Sequence, residues 1–278
     1  MNYINFIQSQ WLEWTNKPLF PHLNGAKYKL LNFDQISEEV SALIFYPKGF
    51  ALDNYIVDSF HQEFYVLDGE IVINGVTFIN DCYSFMPIGF EINQAYSNTD
   101  TVILTFFKIN ETFSANEKIQ KDYSHLWVPR INSYNSTWKN SYGNYKILNS
   151  SKSKSNIKIL RKNKFNESET LLVGIPPIWL IPSLKFIKAK LEIFLIYGKI
   201  KNKSGEMFGG AYMCYNSDIS SSVMGNLESA VFLLRCSKSY FNATSGSDEK
   251  FNFLDNKEYD CIFPDWMQKK FICGPYAR

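Results

Sequence analysis

Short apolar runs separated by turn residues are the dominant pattern between residues 40 and 107. Apolar and polar positions alternate within these runs, as in β-strands, whereas a helical period is nearly absent. Asn74-Gly75 lies between two such runs and is the strongest short-range signal for a hairpin turn. Residues 101–107 close the stretch as a long run rich in β-branched side chains. Many short strands with frequent turns predict a β-sandwich or a small barrel.

The same pattern is written twice in the chain. Residues 63–71 return as residues 192–200, which is an offset of 129 residues. The offset stays constant, without a gap, from residue 47 to residue 107, and it relates the following pairs: Pro47 and Pro176, Tyr83 and Tyr212, Val102 and Val231. A long ungapped repeat indicates two copies of one module. The sequence therefore predicts two domains, over residues 1–125 and 126–278.

The segments outside the repeat suggest further elements. Apolar residues at helical spacing predict a short N-terminal helix over residues 3–14. Residues 27–32 resemble residues 144–149 at an offset of only 117, which predicts a 12-residue insertion in the second copy, with the basic stretch 158–164 near a hairpin tip. Residues 237–278 are too apolar to be disordered and are expected to wrap back onto the barrels.

Composition narrows the possible functions. A formal charge of +2 over 278 residues gives no support for nucleic-acid binding. The beginning of the chain lacks the pattern of a secretion signal, and no apolar run is long enough to span a membrane. An odd number of cysteines, without a CxxC pair, favours a reducing compartment; they are Cys82, Cys214, Cys236, Cys261 and Cys273. We therefore expect a soluble cytoplasmic protein.

The repeated motif resembles a known family. Residues 63–70, then Asn74-Gly75, then a strand that reaches Pro87-Ile88-Gly89, are similar to the two motifs of the cupin superfamily. The doubling resembles a bicupin, and among bicupins it is most similar to the ChrR-like cupins. The resemblance covers residues 40–107 and 169–236. The resemblance implies an all-β chain of two tandem cupin-like β-barrels (double-stranded β-helix or jelly roll), with a short N-terminal helix and a C-terminal wrap.

The resemblance also implies a metal site, and the residues depart from it. Cupin enzymes usually hold Fe, Mn, Ni or Zn through a His-x-His pair, a glutamate and a later histidine. Here residues 55–59 contain no histidine, Gln62 falls at the place of the glutamate, and Ile92 falls at that of the later histidine. The second copy has Leu191 in place of Gln62. No metal site is therefore predicted. Binding of Fe, Mn or Zn in the first barrel is kept as an alternative that requires His61, Glu63 and Asp58 to form one cluster.

The candidate chemistry is placed in the first barrel. Glu63 recurs as Glu192, and a carboxyl in a dry barrel could act as a general acid or base. The predicted catalytic residues are His61, Glu63 and Tyr83. The predicted substrate-binding residues are Gln62, Phe64, Phe85, Ile92 and Gln94. The alternatives are an outward glutamate, a tyrosine that fills the core, and a histidine at the rim with a backbone partner.

These residues lead to one functional interpretation with two alternatives. We expect a small organic molecule to bind in a barrel pocket, where a metal-independent isomerase, cyclase or lyase would move a proton with histidine, glutamate or tyrosine. The first alternative is a metal-dependent cupin oxygenase with an atypical ligand set. The second is a non-catalytic binding or scaffold protein. A homodimer is possible, and neither nucleic acid nor a membrane is expected as a partner.

Overall fold

β-Strands are the main elements of this computed structural model. It describes residues 4–34, 38–57, 60–109, 124–141, 148, 154–163, 168–181, 184–186, 189–202, 205–215, 224–237 and 243–245. The first eleven strands are β1 (Ile4–Gln8), β2 (Lys27–Phe33), β3 (Val40–Tyr46), β4 (Ala51–Val57), β5 (Phe60–Asp68), β6 (Glu70–Ile73), β7 (Val76–Ile79), β8 (Cys82–Met86), β9 (Phe90–Tyr96), β10 (Thr101–Ile109) and β11 (Val128–Asn132).

The later strands belong to the second copy of the repeat. They are β12 (Lys139–Asn140), β13 (Asn156–Lys162), β14 (Glu169–Ile175), β15 (Trp179–Ile181), β16 (Leu184–Phe186), β17 (Leu191–Tyr197), β18 (Lys199–Asn202), β19 (Gly205–Phe208), β20 (Ala211–Tyr215), β21 (Met224–Asn226), β22 (Ala230–Cys236) and β23 (Ala243–Ser245). The helical elements of the described residues are 3-10 turns at Ser9–Trp11, Pro21–Leu23 and Ser124–Leu126. None of the described helices is long and apolar enough to cross a membrane.

Residues 12–136 form one compact unit, which we call the first barrel. Its six-stranded sheet has the order β11-β8-β5-β10-β3-β2, and its four-stranded sheet has the order β4-β9-β6-β7. Apolar side chains from both sheets form one core, including Ile44, Phe64 and Phe107 from the larger sheet and Ile71 and Ile92 from the smaller one. Strand β11 pairs with β8, so this unit extends to residue 136, beyond the expected boundary at 125.

Residues 1–11 and 137–278 form the other unit, which we call the second barrel. Its sheets have the orders β1-β20-β17-β22-β14-β13-β12 and β15-β21-β18-β19, and β16 pairs with β23. Strands β14, β18, β19 and β20 lie 129 residues after β3, β6, β7 and β8. The fold predicted from the repeat, two tandem β-barrels, is therefore confirmed.

The 12-residue insertion predicted in the second copy is wrong. Strand β13 begins 129 residues after β2, and its Asn156 pairs with Gly174 just as Lys27 pairs with Phe45. The reason is the buried face, because Leu160 takes the buried place of Leu31 in this register. Residues 158–162 of the basic stretch lie in β13, which leads into the hairpin with β14, and the buried Lys158 lies 4.6 Å from the ring centroid of Trp138.

The helix predicted over residues 3–14 is also wrong. Strand β1 pairs antiparallel with β20, at the sheet position that β11 holds against β8 in the first barrel. Tertiary hydrogen bonds fix the extended form, since the Gln8 side chain accepts from the Phe208 N–H at 2.9 Å and the Gln10 amide donates to the Gly209 carbonyl at 2.8 Å. Apart from β23, the predicted C-terminal wrap lies outside the described residues.

Candidate functional site

A cavity lies inside the first barrel, between its two sheets. Its empty space is about 410 Å³, which includes the part open to solvent. It is lined by His22, Leu23, Tyr46, Phe50, Leu52, Gln62, Phe64, Ile71, Ile73, Met86, Ile92, Ala95 and Ile103. The lining is mostly apolar with a few polar groups, which is the usual composition of a small-molecule site.

Tyr46 and Gln62 are the buried polar side chains of this lining. Tyr46 ends β3 and is 4% exposed, while Gln62 lies on β5 and is 5% exposed. Neither side chain has a hydrogen-bond partner among the described residues. Burial raises the pKa of Tyr46 well above its usual value, so the hydroxyl stays protonated and can donate. Both polar groups line the cavity and can therefore form hydrogen bonds within it.

His22 is the titratable imidazole in the lining. It belongs to the 3-10 turn Pro21–Leu23, is half-buried, and stacks on Tyr55 with 4.0 Å between ring centroids. Phe20 stacks on its imidazole with 5.7 Å between ring centroids. Sequence reasoning gave neither His22 nor Tyr46 a role. A comparison of the two copies could have found Tyr46, because Ile175 stands at the equivalent position of the second copy.

The residues predicted to be catalytic do not line the cavity. Along β5, Gln62 and Phe64 line the cavity, whereas His61 and Glu63 alternate onto the opposite face. The buried Tyr83 hydroxyl donates to Glu63 Oε1 at 2.8 Å. His61 Nδ1 accepts from the Ile88 N–H at 3.1 Å. The structure thus brings Glu63 and Tyr83 together outside the cavity, and the arrangement matches the outward glutamate and the rim histidine with a backbone partner.

The residues predicted to bind substrate divide into two groups. Gln62, Phe64 and Ile92 line the cavity, whereas Phe85 and Gln94 do not. Phe85 shares the face of His61, with 5.6 Å between the ring centroids. Gln94 is exposed because β9 departs from simple alternation, so that Ile92 and Ala95, three residues apart, both line the cavity.

The side chain of Asn74 bonds to β9 at this irregular position. Its Oδ1 accepts from the Asn93 N–H at 2.8 Å and from the Gln94 N–H at 3.3 Å, and its Nδ2 donates to the Glu91 carbonyl at 2.7 Å. The hairpin residue identified from the sequence therefore also connects β6 to the part of β9 that lines the cavity.

The donors of the described lining do not fit a cupin metal. Iron, manganese and zinc sites need several imidazole, carboxylate or thiolate ligands. The lining offers one imidazole, one phenol and one amide, from His22, Tyr46 and Gln62. Among the described residues, no group of three His, Cys, Asp or Glu side chains could hold a metal ion. Asp58, which was considered as a ligand with His61 and Glu63, lies outside the described residues.

The second barrel has different side chains at the equivalent positions. Ile175 stands in place of Tyr46, and Leu191 in place of Gln62. Trp179 stands in place of Phe50, and its indole N–H donates to the Leu148 carbonyl at 2.7 Å. Met224 replaces Ala95 and the buried Asn202 replaces Ile73, because Asn202 pairs with Met224 as Ile73 pairs with Ala95. The phenol and the amide of the first lining therefore have apolar counterparts in the second barrel.

The Glu–Tyr pair, by contrast, is kept in both barrels. The Tyr212 hydroxyl donates to Glu192 Oε1 at 2.6 Å, as Tyr83 does to Glu63. In the second barrel Arg235 adds an ion pair to Glu192 Oε2 at 2.5 Å. All four residues of the two pairs are buried. Because the pair persists in a barrel whose counterparts of Tyr46 and Gln62 are apolar, it is best explained as a structural link between neighbouring strands.

Solved structures of other proteins share the fold of this chain, whereas sequence comparison finds no match. No family model and no curated protein matches the sequence. Among solved structures, a protein from Nostoc punctiforme provisionally named a dioxygenase aligns over 88% of this chain and 87% of its own, with a TM-score of 0.72 and 16% identity. A cupin 2 conserved barrel domain protein from Leptotrichia buccalis aligns over 86% and 98%, with a TM-score of 0.55 and 10% identity.

This chain has the cupin fold in two tandem copies. An oxalate decarboxylase from Lactobacillus farciminis, solved as a formate complex, aligns over 88% of this chain and 88% of its own, with a TM-score of 0.55 and 9% identity. Identities this low show a shared fold only, because the cupin fold carries many chemistries. The resemblance read from the sequence is confirmed at the level of fold.

Proposed function

We propose that the first barrel of this bicupin binds a small organic molecule and that the second barrel is structural. The single observation that carries the proposal is the pair of buried polar side chains, Tyr46 and Gln62, which line a mostly apolar cavity without a hydrogen bond to any other described residue. Apolar positions take their place in the second barrel, as Ile175 and Leu191. The free energy that these groups cost the fold is explained if a ligand completes their hydrogen bonds.

The experiment blocks the cavity with the residue that the second barrel uses. Ala95→Met introduces the side chain found at Met224, and Ala51→Met makes the same change at an exposed position of β4. We expect a ligand-observed NMR screen of small fragments to give binders for the wild type and Ala51→Met. Ala95→Met should bind the same fragments at least tenfold more weakly. If Ala95→Met bound them as the wild type does, the first barrel would not be the site.

A metal-independent isomerase, cyclase or lyase is the second candidate, and the position of His22 favours it. Its imidazole lines the cavity together with Tyr46 and Gln62, and histidine titrates near neutral pH. The proton-transfer role moves to this residue, because His61, Glu63 and Tyr83 do not line the cavity. His22→Phe keeps an aromatic ring against Tyr55 and removes the proton carrier. Turnover of a bound molecule should then be lost while binding is kept, whereas unchanged turnover would remove the enzymatic assignment.

A metal-dependent oxygenase is less well supported. The name of the Nostoc punctiforme neighbour suggests such chemistry for that protein, but the donors of the described lining here do not suit iron or manganese. We derive no catalytic step through a metal.

The cellular location and the oligomeric state of the protein are part of the same proposal. A cytoplasmic location is favoured by the free and buried Cys82, Cys214 and Cys236. A homodimer is also proposed, and light scattering coupled to gel filtration would measure its mass. Fractionation of cells would test the location.

A further inference from the structure

We infer that the ligand of the first barrel is uncharged at neutral pH and carries one hydrogen-bonding group, a carbonyl or a hydroxyl, on a small apolar body. This inference rests on the proposed function, because it concerns the same cavity. It goes further by naming the chemical class of the ligand.

The charge of the lining is the first reason to expect an uncharged ligand. None of the described residues that line the cavity is an aspartate, glutamate, lysine or arginine. A carboxylate or an ammonium group moved from water into such a cavity would lose its hydration without gaining an ion-pair partner. The imidazole of His22 is the lining group that can become positive, and it is half-buried and stacked on Tyr55. A neutral ligand avoids the desolvation penalty.

The chemistry of the two buried groups carries the second step. The Tyr46 hydroxyl donates one hydrogen bond, and it stays protonated because burial raises its pKa. The Gln62 amide both donates and accepts. A carbonyl oxygen can accept from both groups, and a hydroxyl can also donate to the amide oxygen. A hydrocarbon without such a group would leave both side chains unpaired.

The apolar walls and the restricted space carry the third step. Apolar side chains, among them Phe64, Ile92 and Ile103, make up most of the lining, so the rest of the ligand is apolar. The empty space of about 410 Å³ includes the part open to solvent, which limits the guest to a small molecule.

The test uses four probes that share one five-membered carbon ring. They are cyclopentanol and cyclopentanone, which are neutral, cyclopentanecarboxylate, which is an anion, and cyclopentylammonium, which is a cation. Affinities are measured at pH 7 by ligand-observed NMR titration of the full chain. We expect the better neutral probe to bind at least tenfold more tightly than either charged probe.

Matched variants connect this preference to the two side chains. Gln62→Leu and Tyr46→Phe should each weaken the better neutral probe about fivefold, the loss expected for one hydrogen bond. The controls Asn93→Leu and Tyr134→Phe make comparable changes at exposed positions and should leave the affinity unchanged. Tighter binding of the carboxylate, lost in Gln62→Leu or His22→Phe, would overturn the neutral class and still support the cavity as the site. Binding of no probe, or binding that the cavity variants leave unchanged, would count against both the class and the site.

Discussion

Replacing Gln62 with leucine should stabilise the first barrel although it removes a residue of the proposed site. Gln62 is 5% exposed and has no hydrogen-bond partner among the described residues. A buried polar group left unpaired costs about 1–3 kcal/mol, and leucine has a similar volume without polar atoms. The second barrel already holds Leu191 at this position and packs it as core. We therefore expect the free energy of unfolding to rise by about 1–2 kcal/mol.

The assay must locate the change, because two barrels need not unfold together. Urea unfolding of the ligand-free chain gives the change in the free energy of unfolding of the whole chain. Hydrogen exchange of peptides from β5 and β10, compared with β17 and β22, assigns that change to one barrel. Asn93→Leu is the exposed control and should change stability by less than about 0.5 kcal/mol. The reciprocal change, Leu191→Gln, should cost the second barrel about 2–3 kcal/mol, because it buries an amide among apolar side chains.

One result would refute this reasoning. If Gln62→Leu lowered the free energy of unfolding by about 1 kcal/mol or more, the Gln62 amide would have partners in the folded chain. The argument that a ligand completes its hydrogen bonds would then fail.

Three further predictions follow from the same geometry. Tyr83→Phe should lower stability by about 1–2 kcal/mol, because it breaks the 2.8 Å hydrogen bond to Glu63, and should leave cavity affinities unchanged; a tenfold loss of affinity would contradict this. Since burial raises the pKa of Tyr46, the unfolded chain loses this proton first above about pH 10, so the free energy of unfolding should fall there by up to about 1.4 kcal/mol per pH unit. Urea titrations at several pH values should show a shallower decline for Tyr46→Phe than for the wild type, but not for the exposed control Tyr134→Phe. Equal declines in Tyr46→Phe and the wild type would contradict this prediction. Protein incubated with Fe(II), Mn(II) or Zn(II) and then desalted should retain less than about a tenth of an equivalent by elemental analysis, and a retained full equivalent would reverse the conclusion about the donors.

The fold and part of the site follow from local features of the sequence. Two copies at one offset and strands with a two-residue period are sufficient to predict tandem barrels. The same period places Gln62 and Glu63 on opposite faces of β5, so that only one of them can line the cavity.

The remaining features depend on contacts between distant residues. The N-terminal segment has helical spacing, but its hydrogen bonds are made with residues near 208–214, which no local pattern reveals. His22 lies in a 3-10 turn and stacks on Tyr55 of β4, far from it in sequence. Tyr46 differs from the adjacent Phe45 only by a hydroxyl group, which bonds to no other described residue. The mistaken insertion arose because five or six similar residues outweighed the register that burial imposes on β13.

The place of β1 has a consequence for how the halves can be separated. Strand β1 precedes the first barrel in the sequence, yet it lies at the edge of the second barrel's sheet, beside β20. A fragment cut at residue 137 would lack this strand and leave the backbone of β20 open to pairing with other chains, which favours aggregation. A fragment of residues 12–136 keeps its own edge strand, β11, so the half that holds the cavity is the one to isolate.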